Sequence, residues 1–175
     1  ISDTGYSCGE CEMCLCGGRG CLETVASTRA IVERVRQGLQ RGIRSDLAAK
    51  PLDSLTIQDI VEAASHGDSF SANILNGALV YLGSALAIAI NLYNPDTILL
   101  RGELFRHGGG RLLEIVRREA DGRALREFHA DIQWHVAETQ NSAARGAAAL
   151  VFENLLEVES TIPDIAAAPP PEAAS

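Results

Sequence analysis

The sequence has no cysteine after Cys21, although the chain is 175 residues long and contains five cysteines. A disulfide framework needs cysteines spread along the chain, because each bridge stabilises a domain by closing a loop between segments. Cysteines confined to one end of the chain cannot do this for the whole domain. A thiolate metal site in a protein of the reducing cytoplasm explains them better.

A basic patch and a signal peptide are also missing from these residues. The 15 Lys and Arg residues are scattered and are outnumbered by 23 Asp and Glu residues, which gives a formal net charge of -8. This balance excludes an electrostatic footprint for nucleic acid within this sequence. Because the chain begins at Ile1 and its densest motif lies near that end, we expect a C-terminal part of a longer protein, with any DNA-binding domain upstream.

Charged residues are absent between Asp68 and Asp96, where apolar residues recur at helical spacing. A membrane-spanning helix is one interpretation of this segment. Asn, Ser and Gly residues interrupt the apolar run well short of the roughly 20 residues that a span requires. We therefore predict a buried core helix.

Periodicity predicts the other elements of an α/β fold. An amphipathic helix is predicted from Leu22 to Gln40, and Thr56 with Asp59 resembles a capping box that starts a short helix ending near Ser65. The remaining predictions are a strand at 97–100 that ends at Arg101-Gly102, a loop at 103–110, a helix at 111–126, a strand at 131–137, a helix at 142–157 and a disordered Ala/Pro-rich tail at 161–175. The α/β core is expected to span residues 22–158.

Five thiols precede the first predicted helix, at Cys8, Cys11, Cys14, Cys16 and Cys21. Tetrahedral zinc takes four ligands from Cys and His, and paired cysteines in such sites are usually two to four residues apart. The segment 8–21 is therefore predicted to be a zinc loop that has one thiol too many or takes a ligand from elsewhere. A redox pair and unliganded thiols are the alternatives.

The segment running from Cys14 to Glu23 reads Cys-Leu-Cys-Gly-Gly-Arg-Gly-Cys-Leu-Glu and is followed by a helical pattern. It resembles the signature of the ROK family, which contains bacterial sugar kinases and sugar-responsive transcriptional repressors. Asn91–Asp96 before the first strand and Gly146-Ala147-Ala148 resemble further family landmarks in the expected order. The resemblance implies the C-terminal half of an actin-like, RNase H-like ATPase domain.

The resemblance also implies site residues. Cys14, Cys16 and Cys21 would bind a structural zinc ion, together with a histidine that precedes Ile1 in the family pattern. The segment before Cys14 departs from that pattern, so Cys8 and Cys11 become candidates for the fourth ligand. Glu23 would contact sugar hydroxyls, and its place in the first turn of a helix suits a carboxylate, although Glu is common there for dipole reasons alone.

The resemblance leaves a repressor and a kinase to be distinguished. The family kinases follow this strand with a run of glycines that approaches the nucleotide, whereas this chain has only Gly102 between Arg101 and Glu103. The catalytic base and first phosphate loop of the family lie upstream, so no catalytic residue is named. ATP and Mg²⁺ are expected only if the chain is a kinase.

We therefore predict the effector-binding portion of a cytoplasmic transcriptional regulator of the xylose or N-acetylglucosamine repressor kind. Its partners would be a sugar or sugar phosphate, DNA through an upstream domain, and further copies of itself, with no membrane. A sugar kinase for a hexose or N-acetylhexosamine is the first alternative. A zinc-stabilised interaction module that binds neither sugar nor nucleotide is the second.

Overall fold

The structure is a computed structural model that describes residues 13–137 and 146–152. These residues fall into two compact units, of which the larger contains residues 13–137. Its elements are α1 (Glu23–Ala26), α2 (Thr28–Gln40), α3 (Ile57–Ser65), α4 (Ser69–Tyr93), β1 (Thr97–Arg101), α5 (Glu103–Asp121), α6 (Arg126–His129) and β2 (Gln133–Ala137). Two short 3-10 turns, Asp46–Ala49 and Leu52–Ser54, connect α2 to α3.

The second unit is described only at 146–152, which is helical. This segment lies within the helix predicted at 142–157. The rest of that helix, the predicted tail at 161–175, and both Cys8 and Cys11 lie outside the described residues.

The start of α3 has the predicted capping box. The Thr56 hydroxyl accepts a hydrogen bond from the Asp59 backbone N–H at 3.3 Å, and the Asp59 carboxylate accepts one from the Thr56 backbone N–H at 2.9 Å. These two bonds satisfy backbone donors that a helix end leaves without a partner. The Lys50 ammonium also pairs with Asp59, which ties the preceding connector to α3.

The predicted helix from Leu22 to Gln40 is two helices in the structure. Ser27 interrupts it with an extended backbone conformation (φ -72°, ψ 153°), and its hydroxyl accepts a hydrogen bond from the Ala30 backbone N–H. The single-helix prediction was wrong because the apolar periodicity continues across the break, whereas Ser27 acts as the N-cap of a new helix.

The core helix α4 begins at a buried carboxylate. Asp68 accepts hydrogen bonds from the backbone N–H groups of Ser71 at 2.7 Å and Asp46 at 2.6 Å. By length and hydropathy alone, α4 has what a membrane span requires. In the structure it packs against α1, α2, α3 and α5, and the side chains of Leu79 and Ile90 are fully buried, as expected for a core helix.

The two strands form a parallel pair in which Ile98 lies opposite Trp134 and Leu100 lies opposite Val136. The connection between them includes α5, which packs against both strands. Ile98 and Leu100 are buried, whereas Leu99 on the opposite face is 59% exposed. Both predicted strands are therefore confirmed, and described residues cover one face of the pair.

The loop predicted at 103–110 is helical in the structure. Helix α5 begins at Glu103, directly after the strand and Gly102, and continues to Asp121 with one interruption at Gly109 (φ 52°, ψ -145°). The prediction was wrong because Leu104 and Phe105 are buried in the core, and this burial outweighs the poor helix propensity of the glycines that follow. Of the predicted loop, only a kink at Gly109 remains.

Candidate functional site

A tight turn brings three of the cysteines together. The Cys14 backbone N–H donates to the Gly18 carbonyl at 2.8 Å, and the Gly17 N–H donates back to the Cys14 carbonyl at 2.9 Å. Gly17 (φ 85°) has a backbone conformation that residues with a Cβ rarely adopt. The turn therefore requires glycine at position 17.

The sulfur atoms of Cys14, Cys16 and Cys21 all lie within 4.8 Å of one another. Within the described ranges, 13–137 and 146–152, they form the only group of three or more potential metal ligands. Tetrahedral zinc with Zn–S distances of about 2.3 Å places its sulfur ligands about 3.8 Å apart. The spacing and the chemistry of these three donors therefore suit one zinc ion.

The thiols also influence one another's ionisation. Hydrogen bonding to the Gly18 backbone, and then to the other two thiols, lowers the pKa of Cys16. The hydrogen bond with Cys16, followed by the one with Cys14, raises the pKa of Cys21 to about 11. Three adjacent thiols do not all ionise easily by themselves, since each thiolate repels the next, and a bound cation removes this obstacle.

The thiol turn is joined directly to the helix that carries Glu23. The Thr24 hydroxyl, in a side chain only 6% exposed, donates to the Cys21 carbonyl at 2.8 Å. From α2, the Arg34 guanidinium donates to the Val25 and Thr24 carbonyls at 3.3 and 3.5 Å. A four-residue helix has little stability of its own, so these contacts are what hold α1 in place.

Glu23 is exposed and lies in the first turn of α1, where it lines a cavity of about 640 Å³. The cavity lies at the carboxyl end of β1, the edge where α/β sheets usually bind ligands. Its remaining lining residues are Leu22, Ala26, Ser27, Thr28, Arg29, Leu82, Leu100, Arg101, Gly102, Leu104 and Phe105. A carboxylate and two arginines thus share one cavity with an apolar wall.

The two arginines were not among the predicted site residues. Arg29 follows the break at Ser27 and has no ion-pair partner among the described residues, while Arg101 ends β1. The position of Arg101 at the carboxyl end of a predicted strand was a signal that the sequence contained. No comparable signal in the sequence indicated that Arg29 would line the cavity. Its position depends on the break between α1 and α2, which the sequence analysis did not predict.

Residues 6–154 match the sequence model of the ROK family. The chain belongs to the ROK family. The family assignment made from the cysteine motif is therefore confirmed, and the structure places that motif in the described turn from Cys14 to Cys21.

Other ROK proteins resemble this chain over most of its length. The DNA-binding transcriptional dual regulator NagC of Escherichia coli K12 is 37% identical over 145 residues, which cover 83% of this chain and 35% of that protein. A glucokinase of Halalkalibacterium halodurans is 32% identical over 135 residues, covering 74% of this chain and 40% of the glucokinase. This chain thus spans little more than a third of the length of these curated relatives.

A solved structure agrees with the ROK assignment. The crystal structure of a ROK family transcriptional regulator, a homolog of the E. coli MLC protein, superposes with a TM-score of 0.68 at 34% identity. The match covers 77% of this chain and 33% of that regulator. The fold is therefore α/β and of the actin-like class to which ROK proteins belong, and the resemblance to the repressor branch is confirmed.

Proposed function

We propose that this chain is the effector-binding portion of a ROK-type transcriptional regulator and that it binds a sugar or sugar phosphate in the cavity lined by Glu23. The position of Glu23 carries this proposal. Its helix is bonded to the thiol turn on one side and to α2 on the other, so an exposed carboxylate is held at the wall of a cavity. Such preorganisation lowers the entropic cost of binding.

Glu23 has the chemistry to recognise vicinal hydroxyls. An ionised carboxylate accepts hydrogen bonds through two oxygen atoms, and two neighbouring hydroxyls of a sugar ring can donate to them together. The apolar wall formed by Leu100, Leu104 and Phe105 suits the less polar face of a sugar ring. The cavity therefore combines the two kinds of contact that a monosaccharide requires.

Arg29 and Arg101 extend this recognition to a phosphorylated sugar. Arginine binds phosphate through charge-assisted hydrogen bonds, which are about twice as strong as neutral ones. With both arginines in the cavity that Glu23 lines, hydroxyl and phosphate groups of one ligand would have separate partners. A neutral sugar would use Glu23 and would need neither arginine.

Zinc would be held by Cys14, Cys16 and Cys21, with Cys8 or Cys11 as the candidate fourth ligand within this chain. Once bound, it would supply a closed structural site that fixes the turn and takes no part in chemistry. A hydrogen bond connects the zinc turn to the sugar site, since the Cys21 carbonyl accepts a hydrogen bond from the hydroxyl of Thr24, the residue next to Glu23.

Regulation would follow from a coupling between the sugar site and a DNA-binding domain outside this chain. An effector shifts such an equilibrium only to the extent that it binds one conformation more tightly than the other. In this proposal the cytoplasmic regulator is a homo-oligomer in which sugar binding changes the arrangement of its DNA-binding domains.

Thermal unfolding of the full-length protein with added ligands tests the sugar site. We expect N-acetylglucosamine, xylose, glucose or one of their phosphates to raise the Tm, because a ligand that binds only the folded state stabilises it. Glu23→Gln should abolish the shift. Glu127→Gln is the matched control, since Glu127 is an exposed carboxylate in the first turn of the equally short helix α6.

A sugar kinase is the second candidate, and the backbone geometry at Gly102 is compatible with it, although the chain lacks the glycine run of the family kinases. Gly102 joins β1 to α5 with φ 125° and ψ 168°, and among the described residues other than its chain neighbours no heavy atom lies within 4 Å of the position that a Cβ would take. Such a turn lets a ligand approach the backbone closely. Sugar-dependent ATP consumption by the full-length protein would establish the kinase, whereas a sugar-induced Tm shift without turnover would support the regulator.

A zinc-stabilised interaction module remains the third candidate. It would share the thiol turn but would show no Tm shift with any sugar, sugar phosphate or nucleotide. Retention of zinc together with such an absence of shifts would favour it over both other functions.

A further inference from the structure

Within the candidate metal site, Cys16 and Cys21 form a close and accessible pair. Their sulfur atoms are 3.5 Å apart, Cys16 is exposed and Cys21 is half-buried. Cys14 is buried, with 8% of its surface exposed, and its backbone is fixed by both hydrogen bonds of the turn. The three thiols therefore consist of one accessible pair and one enclosed neighbour.

The backbone between the paired cysteines has room for them to approach further. A disulfide requires an S–S distance of about 2.05 Å, so the two sulfur atoms must move closer together. A Cβ at Gly18 would lie 3.4 Å from the Cys16 sulfur and 3.5 Å from the Cys21 sulfur, which shows that Gly18 faces the pair without a side chain. Gly20, at φ 71°, gives the same segment a second glycine hinge.

We propose that Cys16 and Cys21 are an oxidation site that forms an intramolecular disulfide when the turn holds no metal. With oxidised glutathione as the oxidant, the Cys16 thiolate attacks one glutathione sulfur, which forms a mixed disulfide and releases one glutathione thiolate. The Cys21 thiolate then attacks the Cys16 sulfur and releases the second glutathione. Two cysteine thiols are oxidised and one glutathione disulfide is reduced to two thiols.

The disulfide and the metal exclude each other, because the disulfide removes two of the three clustered thiolates. Oxidation would also move Cys21, whose carbonyl accepts a hydrogen bond from the hydroxyl of Thr24, the residue next to Glu23. A loss of sugar affinity on oxidation is therefore expected. This last consequence rests on the proposed sugar site, whereas the disulfide does not.

Peptide mapping of the full chain tests the pairing. The metal is removed with a chelator, the protein is incubated in glutathione redox buffers, free thiols are alkylated and tryptic peptides are analysed by mass spectrometry. Because Arg19 lies between the two cysteines, the proposed disulfide joins the tryptic peptide that ends at Arg19 to the peptide 20–29. Fragmentation should place the bond at Cys16, and added zinc should prevent its formation.

Single substitutions distinguish the pair from its neighbour. Cys16→Ser and Cys21→Ser should each eliminate the linked peptide, whereas Cys14→Ser should retain it. The proposal is overturned if Cys21 stays reduced, if it pairs with Cys8, Cys11 or Cys14 instead, or if Cys14→Ser prevents the link.

Sugar-induced Tm shifts of the reduced and oxidised protein separate the two proposals. No shift in the reduced, zinc-loaded protein contradicts the sugar site and leaves the disulfide standing. Equal shifts in both forms contradict the effect of oxidation on Glu23, while the mapped bond still establishes the disulfide.

Discussion

The packing of α4 against α5 can be tested quantitatively at two glycines of α4. A Cβ at Gly83 would lie 2.5 Å from the Glu119 Cβ and 3.0 Å from the Val116 carbonyl oxygen, both on α5. A Cβ at Gly77 would have no heavy atom within 4 Å in the described part of the chain, apart from the backbone of its own helix. Gly83→Ala and Gly77→Ala thus make the same chemical change in the same helix, one against a packed neighbour and one in open space.

The expected difference follows from the geometry. In both variants alanine should stabilise the helix by about 0.5–1 kcal/mol, since glycine loses more backbone entropy on folding. Only Gly83→Ala forces α4 away from the α5 backbone, and such overpacking typically costs about 1–3 kcal/mol. The propensity gain cancels in the comparison, so Gly83→Ala should be less stable than Gly77→Ala by about 1–3 kcal/mol.

Denaturant titration of both variants measures their free energies of unfolding. The comparison is valid if the two m-values are equal, because the surface exposed on unfolding is then the same. In a chain of this length the same difference corresponds to about 2–4 °C in Tm for each kcal/mol. Equal stability of the two variants would refute the close approach of α4 and α5 at Gly83.

Further predictions concern the two sites and the pH dependence of stability. Arg29→Gln should weaken binding of a sugar phosphate by about 10- to 100-fold and leave the unphosphorylated sugar unaffected, since a hydrogen bond to a charged group contributes about 1.5–3 kcal/mol. Calorimetry with both ligands checks this, and equal losses for the two would contradict a phosphate contact. Cys14→Ser should reduce bound zinc, measured by elemental analysis, and at most one of Cys8→Ser and Cys11→Ser should do the same, since an upstream histidine is the other candidate for the fourth ligand; full retention of zinc in Cys14→Ser would refute the thiolate site. Burial alone would raise the pKa of Asp68, but hydrogen bonds from the Ser45 hydroxyl and from the Ser71 and Asp46 N–H groups lower it overall. Its lowered pKa stabilises the fold above the unfolded value of about 3.9, and this stability is lost as the pH falls through the folded value. Asp68→Asn should therefore flatten the acid limb of the stability curve, and an unchanged limb would count against the Asp68 contacts.

Much of the fold could be predicted because its signals are local. The Thr56 and Asp59 capping box, the strand after Asn94-Pro95-Asp96 and the long apolar helix α4 each depend on residues a few positions apart. The errors had two causes: the Ser27 cap divided a segment whose apolar periodicity is continuous, and elsewhere a local signal conflicted with burial. Glycines predicted a loop at 103–110, but Leu104 and Phe105 pack in the core and hold that segment as a helix.

Of the two parts of the candidate site, the thiol cluster could be predicted from the sequence, whereas most of the cavity could not. The thiol cluster lies in one turn: spacing indicated a metal loop with five candidate thiols, the family resemblance selected Cys14, Cys16 and Cys21, and the sulfur atoms of these three do lie within 4.8 Å of one another. The cavity combines α1, the start of α2, and the junction of β1 with α5. α1 and the start of α2 are adjacent, but the junction of β1 with α5 is far from both in the sequence, and no periodicity relates it to them.

The sequence by itself determined the family, the order of most elements and the three clustered thiols, because each is encoded by residues within one turn or one element. Tertiary structure alone decided that Glu23, Arg29 and Arg101 line one cavity. It also decided how far each of the three described thiols is exposed, with Cys14 buried, Cys21 half-buried and Cys16 exposed. Such relations depend on burial and on the packing of α4 against its neighbours, which join residues that the chain itself keeps apart.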